Sequence, residues 1–346
     1  MKQKRIEYID LANVLAAFAV VFLHTNSCFW NFSKSRYWLT ANFIECIFIF
    51  AVPVFLMISS VTLLDYQKRY STKIYFKKRI KKAVIPFLFW TAFALIFKIV
   101  VMESISLSDL SIELFYNGFI NNGFCSYYWF FTPLFIIYIC IPLFASIEEE
   151  KKLPIFKYLF IVTFVVNSTI PFLISAFHLD WVWPISVYVT GGYCIYILMG
   201  YLIHKIDFSP SQRCLIYILG IAGFIMHFGG TYFESYSVDS VSMIYKELTY
   251  TPVLMYSGAA FLFIKQIAPI VMNTKFGGIV HFVKKYTFAI YLMHYYIIEI
   301  LNRYLHLANY TKSIFYRVGM PFVVIPITII LAALIRKLKI GKKVLP

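Results

Sequence analysis

Ten long runs of apolar residues constrain this chain more than any other feature of its sequence. The runs, given approximately, are residues 8–27, 42–64, 83–102, 128–147, 155–175, 184–203, 213–230, 249–267, 284–304 and 314–335. A helix that crosses roughly 30 Å of hydrocarbon needs about 20 mostly apolar residues, and each run is close to that length. A membrane β-barrel would instead require alternating segments of about ten residues, which the sequence lacks. The sequence therefore predicts an all-α fold, a polytopic membrane helix bundle of about ten transmembrane helices.

The composition agrees with a protein that has little soluble surface. Of the 346 residues, 61% are hydrophobic and 14% are charged, whereas a soluble domain carries about 25% charged residues. The segments between the runs are short and leave no room for a separate soluble domain. We therefore expect residues 1–346 to form a single transmembrane domain. Glu7 and Asp10 interrupt the basic N-terminal region and no A-x-A site follows, which favours an uncleaved span over a signal peptide.

The positive charge of the chain is distributed unevenly between alternate loops. The net charge is +16, and the predicted topology places 25 of the 32 lysines and arginines on the side that holds both termini. Cytoplasmic loops carry an excess of Lys and Arg, so we expect both termini to be cytoplasmic and the protein to be multi-pass in the cell membrane. This distribution indicates membrane lipids as partners, and not nucleic acid.

The largest basic cluster lies between the second and third predicted spans. Residues 68–82 read KRYSTKIYFKKRIKK. One interpretation is that this cluster sets the topology and contacts anionic lipid. The other is that it holds an anionic substrate from the cytosol. The charge alone leaves both interpretations open.

Two histidines lie inside predicted spans, where a polar group usually faces the protein interior and marks a site. His24 lies toward the outer part of the first span. Asn13, eleven residues earlier, falls on the same helix face, about 16 Å away along the axis. His24 could act as a general base or could pack as a hydrogen-bonded structural residue. His294 lies near mid-depth of the ninth span, and the same two roles are open for it.

Other kinds of chemistry lack a sequence signal. No Cys or His spacing indicates a metal site, and two histidines at different depths disfavour a bis-histidine haem. The chain also has no Gly-rich phosphate loop, no H-E-x-x-H motif and no nucleophile elbow. We therefore expect no metal and no bound cofactor.

Six segments, in their order along the chain, resemble the acyltransferase-3 family of integral membrane proteins. They are RIEYIDLANVLAAFAVVFLH (5–24), FAVPVFLMISS (50–60), YFKKRIKKAVIPFLFW (75–90), YYWFFTPLFIIYICIPLF (127–144), YILMGYLI (196–203) and YTFAIYLMHYYII (286–298). The resemblance covers essentially the whole chain. The chain also resembles the membrane half of the vancomycin-resistance serine racemases. Acyltransferase-3 proteins transfer acyl groups, usually acetyl, onto cell-envelope glycans.

The resemblance implies an O-acetyltransferase that uses cytosolic acetyl-CoA as co-substrate and a hydroxyl of a glycan or lipid-linked glycan as acceptor. It implies that His24 is the catalytic residue. The residues that would bind the donor are Asn13, Lys77, Lys78, Arg79 and Lys82. The residues that could support the site are Asp10, Trp129 and His294.

The chain departs from the family pattern at two places. The family has Arg or Lys eleven residues before the histidine, whereas this chain has Asn13, which can hydrogen-bond a carbonyl but cannot neutralise a phosphate. Tyr127 and Tyr128 stand where the family often has His before a W-F pair. These departures keep two alternatives open. One is a membrane transporter or exporter of a glycan or small polar solute, and the other is an auxiliary component of a glycan-assembly complex.

Overall fold

The computed structural model describes residues 6–346, so Lys2, Lys4 and Arg5, which contribute to the predicted orientation, lie outside the described residues. Residues 6–346 form helices and connecting loops, with no β-strand. The helices are α1 (Glu7–Thr25), α2 (Arg36–Lys68), α3 (Thr72–Val100), α4 (Ile112–Phe119), α5 (Ser126–Ala145), α6 (Glu149–Ala176), α7 (Ile195–Lys205), α8 (Pro210–Val238), α9 (Thr251–Met272), α10 (Lys275–Val283), α11 (Thr287–Tyr304) and α12 (Ile314–Ile335). A short helical turn, Gly341–Val344, follows.

Within this part of the chain, eight helices are long and apolar enough to cross a membrane: α1, α2, α3, α5, α6, α8, α9 and α12. The predicted all-α, multi-pass bundle is confirmed. The other two predicted spans correspond to α7 and α11. Run 184–203 is helical only from the turn Gly192–Cys194 onward, because Pro184 and Gly192, whose φ is +56°, do not suit a regular helix.

Helix α1 lies at the centre of the bundle. In an apolar stretch of 18 residues within α1, 72% of the residues are buried, whereas in the corresponding stretch of α8 only 22% are buried. Helix α1 is therefore internal and α8 is peripheral. Helix α1 packs against α2, α9, α11 and α12. Asp10 and Thr25 on α1 are buried and Asn13 and His24 are partly buried, whereas Glu7 at the start of the helix is exposed.

Three spans are irregular immediately before a proline. The irregular segments are the break between Phe48 and Ala51 in α2, the π-helical turn Ile80–Val84 in α3 and the π-helical turn Phe164–Thr169 in α6. Pro53, Pro86 and Pro171 follow them. Proline has no N–H for the carbonyl four residues earlier and its ring clashes with that carbonyl, so the helix adjusts there. In α3 the adjusted turn contains Lys82.

The short helix α7 is buried because it approaches α2 very closely. A Cβ atom placed on Gly200 would lie 2.7 Å from the carbonyl oxygen of Met57. Next to this contact, the Ser60 hydroxyl donates to the carbonyl of Ile197 at 2.7 Å. Glycine is therefore required where the two backbones meet.

Ion pairs bring several basic loops together at one end of the bundle. Glu149, at the start of α6, pairs with Lys68 at 3.4 Å, Lys152 at 3.3 Å and Lys205 at 3.0 Å. These contacts join the loops that follow α2 and α7 to the start of α6. We call this the basic end of the bundle.

The opposite end is held by a buried arginine. Arg317, at the start of α12, is 1% exposed. Its guanidinium donates to Thr40 Oγ1 at 2.8 Å and to Asn26 Oδ1 at 3.4 Å. The Thr25 hydroxyl donates to the Arg317 carbonyl at 3.1 Å. These bonds connect the end of α1 to α2 and α12.

The close approach of α7 and α2 generates a stability prediction. Gly200→Ala should lower the free energy of unfolding by about 1–3 kcal/mol, because the new methyl group overpacks against the α2 backbone. Gly229→Ala in α8 is the matched control, since a Cβ there has no heavy atom within 4 Å. Thermal unfolding of both purified variants in detergent measures the effect. Equal melting temperatures would contradict the packing argument.

Candidate active site

A cavity of about 300 Å³ lies at the basic end, and we call it the basic-end cavity. Three of the predicted donor-binding residues line it: Asn13 on α1, and Arg79 and Lys82 on α3. The Asn13 amide nitrogen donates to the carbonyl of Ile9 at 2.8 Å, which holds the side chain against its own helix. Pro346 also lines this cavity. The three predicted residues are therefore brought together although they come from two helices.

The other two predicted donor-binding residues, Lys77 and Lys78, are exposed and are not part of this cavity wall. The ammonium of Lys78 lies 3.6 Å from the centre of the Tyr70 ring. Arg79 lies between aromatic rings, with its guanidinium carbon 5.7 Å from the centre of Tyr75 and 5.3 Å from that of Tyr138. The aromatic contacts hold the Arg79 side chain in place at the cavity.

A second cavity, of about 450 Å³, contains His24 in its wall, and we call it the histidine cavity. Its lining residues come from α1, α2, α5, α11 and the loop that precedes α9. Trp129 lies in this wall and is 37% exposed. The structure therefore places two predicted site residues, His24 and Trp129, around one space.

The His24 ring belongs to a stack of three rings from three helices. Its centre is 3.8 Å from that of Tyr127, with an angle of 26° between the ring planes. It is 5.0 Å from the centre of His294, with an angle of 27°. Stacking fixes the plane of the imidazole and leaves its two nitrogens at the ring edge. Within residues 6–346 those nitrogens have no hydrogen-bond partner, so they can bind a substrate.

His294 is fully buried behind His24. Its Nδ1 lies 2.9 Å from the carbonyl of Ile290. Because a carbonyl oxygen only accepts hydrogen bonds, Nδ1 carries the hydrogen. Nε2 is buried and has no partner among the described residues. The rings of Tyr127 and His294 thus stack against the His24 imidazole and hold its position.

Three charged residues that the sequence did not identify also line the histidine cavity, namely Glu45, Lys246 and Glu247. Glu45 on α2 and Lys246 in the loop before α9 form a buried ion pair. Glu45 lies inside a predicted span, and a carboxylate in hydrocarbon is a signal that could have identified it. Lys246 is 201 residues away along the chain and carries no comparable signal.

Phe130 and Tyr291 line both cavities and separate them. Their ring centres are 5.5 Å apart, and the planes meet at 76°. The Tyr291 hydroxyl donates to the carbonyl of Tyr127 at 2.9 Å, which fixes the position of its ring. The two cavities therefore adjoin, because these two aromatic side chains belong to the walls of both.

The family relationship agrees with this arrangement. A family model described as an acyltransferase domain matches residues 6–336. The chain belongs to the acyltransferase-3 family. Neither the curated proteins nor the solved structures provide a match to it. The predicted resemblance is confirmed, and membership supports function as a membrane acyltransferase.

In this acyltransferase-3 chain, Asp10 is not part of the wall of either cavity. It is 2% exposed, and its carboxylate lies 2.5 Å from Lys284 Nζ and 3.9 Å from His281 Nδ1. These contacts join α1 to the segment around α10 at the basic end. Its predicted support of the site remains a prediction, and the contacts described here place Asp10 where it holds α1 in position.

Over residues 6–346, no group of three or more His, Cys, Asp or Glu side chains could hold a metal ion.

The two stacked histidines should differ in chemical reactivity. His24 lines a cavity and is half-buried, whereas His294 is fully buried. Diethyl pyrocarbonate should therefore modify His24 faster than His294, since His294 must wait for local opening of the fold. Peptide mass spectrometry of the digested protein measures both rates, with a His24→Asn variant to assign the adduct. Equal rates at the two positions would contradict the observed burial.

Proposed function

We propose that the chain is an integral membrane O-acetyltransferase that moves an acetyl group from cytosolic acetyl-CoA to a hydroxyl of a cell-envelope glycan. The observation that carries this proposal is that two adjoining cavities share Phe130 and Tyr291 in their walls. One cavity has cationic side chains in its wall, and the other has a histidine with unoccupied ring nitrogens. A donor phosphate group and an acceptor hydroxyl need these two environments.

In this proposal the basic-end cavity holds the donor. Arg79 and Lys82 contact the negatively charged phosphates of acetyl-CoA. Asn13, which stands where the family has a cation, lies in the same wall as these two side chains. We infer that α3 supplies the positive charge which α1 lacks, and that the Asn13 amide hydrogen-bonds a carbonyl of the pantetheine arm. The positive-inside distribution of charge supports a cytoplasmic location for this end and for both termini.

The acetyl thioester would reach the histidine cavity between Phe130 and Tyr291. An unprotonated nitrogen of His24 removes the proton from the acceptor hydroxyl as its oxygen attacks the thioester carbonyl carbon. The tetrahedral intermediate then collapses, the C–S bond breaks, and the imidazolium returns the proton to the departing thiolate of CoA. Tyr127 and His294 hold the imidazole plane during both proton transfers.

Removal of the general base tests the chemistry. His24→Asn should lower the rate of labelled-acetyl transfer by a factor of about 10²–10⁴, the usual contribution of general-base catalysis. The matched control is His306→Asn, at an exposed residue whose φ is +53°, a conformation that Asn also accepts. The control should retain wild-type activity, and size-exclusion profiles should show that both variants are folded. Full activity of His24→Asn would exclude this mechanism.

The donor site is tested by comparing neighbouring basic residues. Arg79→Gln and Lys82→Gln should each raise the KM for acetyl-CoA about tenfold, which corresponds to about 1.4 kcal/mol. Lys77→Gln is the matched control and should change the KM little, because Lys77 is exposed and not part of the cavity wall. The differences should shrink as the ionic strength rises. An equal rise in the KM for all three substitutions would contradict a specific donor site, because it would show that only the overall positive charge of this surface matters.

Consumption of acetyl-CoA by the purified protein separates this function from transport. A transporter or an auxiliary subunit that uses the same polar cavities would not release CoA from acetyl-CoA. Release of free CoA, measured with a thiol reagent and dependent on an added sugar acceptor, is the expected result.

A further inference from the structure

The histidine cavity contains a charged pair for which the proposed chemistry has no use. Glu45 is 3% exposed and Lys246 is 5% exposed, and the two side chains form a buried ion pair. The ammonium of Lys246 also lies 4.9 Å from the centre of the Trp30 ring and 5.2 Å from that of Phe29. Lys246 is therefore held by one carboxylate and two aromatic faces. Such an arrangement fixes the position of the carboxylate as well.

The Glu45 carboxylate is only half satisfied. Oε1 accepts from Lys246, whereas Oε2 is buried and has no partner among residues 6–346. A buried carboxylate oxygen without a hydrogen bond is costly, and natural proteins rarely retain one without a reason. The terminal torsion of Glu turns easily. A small rotation would thus present this oxygen to the cavity that Glu45 lines.

The two cavities also differ in the sign of their formal charge. The charged side chains in the wall of the basic-end cavity are those of Arg79 and Lys82, which are both positive. The charged residues in the wall of the histidine cavity, apart from His24, are Glu45, Glu247 and Lys246, which leave one negative charge in excess. An anionic group is therefore favoured in the first cavity and disfavoured in the second.

The remaining surface of the histidine cavity suits a sugar ring. The aromatic side chains in its wall include Trp30, Trp129, Tyr127 and Tyr193. Flat aromatic faces pack against the C–H faces of a pyranose, while a carboxylate accepts hydrogen bonds from its hydroxyl groups. Aromatic faces together with an excess carboxylate therefore favour a polyhydroxyl ligand without negative charge.

We propose that Glu45, held by Lys246, selects the acceptor in the histidine cavity: it admits a neutral or amino-bearing sugar and excludes an anionic one. The oxygen Oε2 accepts a hydrogen bond from a hydroxyl or ammonium group of the sugar that is not the acylated hydroxyl. Glu45 is thus a specificity-determining residue, and Lys246 is a positioning residue. The inference rests on the proposed function in one respect, namely that the acceptor occupies the histidine cavity.

Binding of simple glycosides to the purified full-length protein in lipid nanodiscs tests this proposal without acetyl-CoA. The probes are a methyl glucoside, a methyl glucosaminide and a methyl glucuronide, which are neutral, cationic and anionic. Quenching of tryptophan fluorescence reports binding, since Trp30 and Trp129 line the cavity. The first two probes should bind at least about tenfold more tightly than the glucuronide. Binding of none of the three, or equal binding of all three, would overturn the proposal.

Substitution of Glu45 provides the second arm. Glu45→Gln should weaken glucoside binding about tenfold and remove the discrimination against the glucuronide. Because this change leaves Lys246 without its partner and can destabilise the fold, the decisive variant is the double substitution Glu45→Gln with Lys246→Gln. Glu103→Gln is the matched control, since Glu103 pairs with Arg303 and is not part of the cavity wall.

The outcomes of this arm are distinct from those that test acetyl transfer. Wild-type affinity and selectivity in the double variant would show that the pair is only structural, and would overturn the proposal. Loss of selectivity in the double variant with an unchanged Glu103→Gln control supports it. Because no measurement here uses acetyl-CoA, a protein that selects sugars but releases no CoA would refute the proposed acetyl transfer and leave the selectivity standing.

Discussion

The burial of α1 fixes the geometry on which the rest of the site depends. The helix is tied to the segment around α10 by the ion pair between Asp10 and Lys284, and to α12 by the bond from Thr25 to Arg317. Between these attachments it packs against four other helices. Helix geometry then places Asn13 and His24 about 16 Å apart, one in each cavity. The spacing of the cavities follows from the rise of one enclosed helix, and α2, α5 and α11 complete the walls around it.

The chain combines a rigid scaffold with side chains that are held from outside their own helix. Tyr127 and His294 fix the imidazole of His24, Tyr75 and Tyr138 flank Arg79, and Lys246 fixes Glu45. Each of these polar groups would be expensive to bury alone. The neighbouring aromatic rings and the opposite charge limit the positions that each group can occupy. These contacts thus offset part of the cost of burying polar groups in the bundle and also fix the orientation of their side chains.

The sequence predicted the helices well because span length is a local property. Eight of the ten runs satisfy the length and hydropathy of a span in the structure, and the runs that form α7 and α11 do not. The irregular backbone before Ile195 reflects a proline and a glycine with positive φ. The candidate site was harder to predict. His24 and Asn13 share one helix, so helical geometry related them correctly. Glu45 and Lys246 are 201 residues apart, and no periodicity links such partners. The division between Lys77 and Lys82 follows from helical geometry, since five residues at 100° each place the two side chains about 140° apart.

The aromatic pair Phe130 and Tyr291 has a consequence for the membrane itself. Two polar cavities that enter a bundle from its two ends would, if joined, form a water-filled pore. Moving one elementary charge across 100 mV is worth about 2.3 kcal/mol, so such a pore would dissipate the ion gradients of the cell. Two rings in contact keep a short layer of low dielectric between the cavities. Such a layer opposes the passage of ions, and the acetyl group of the proposed reaction is uncharged.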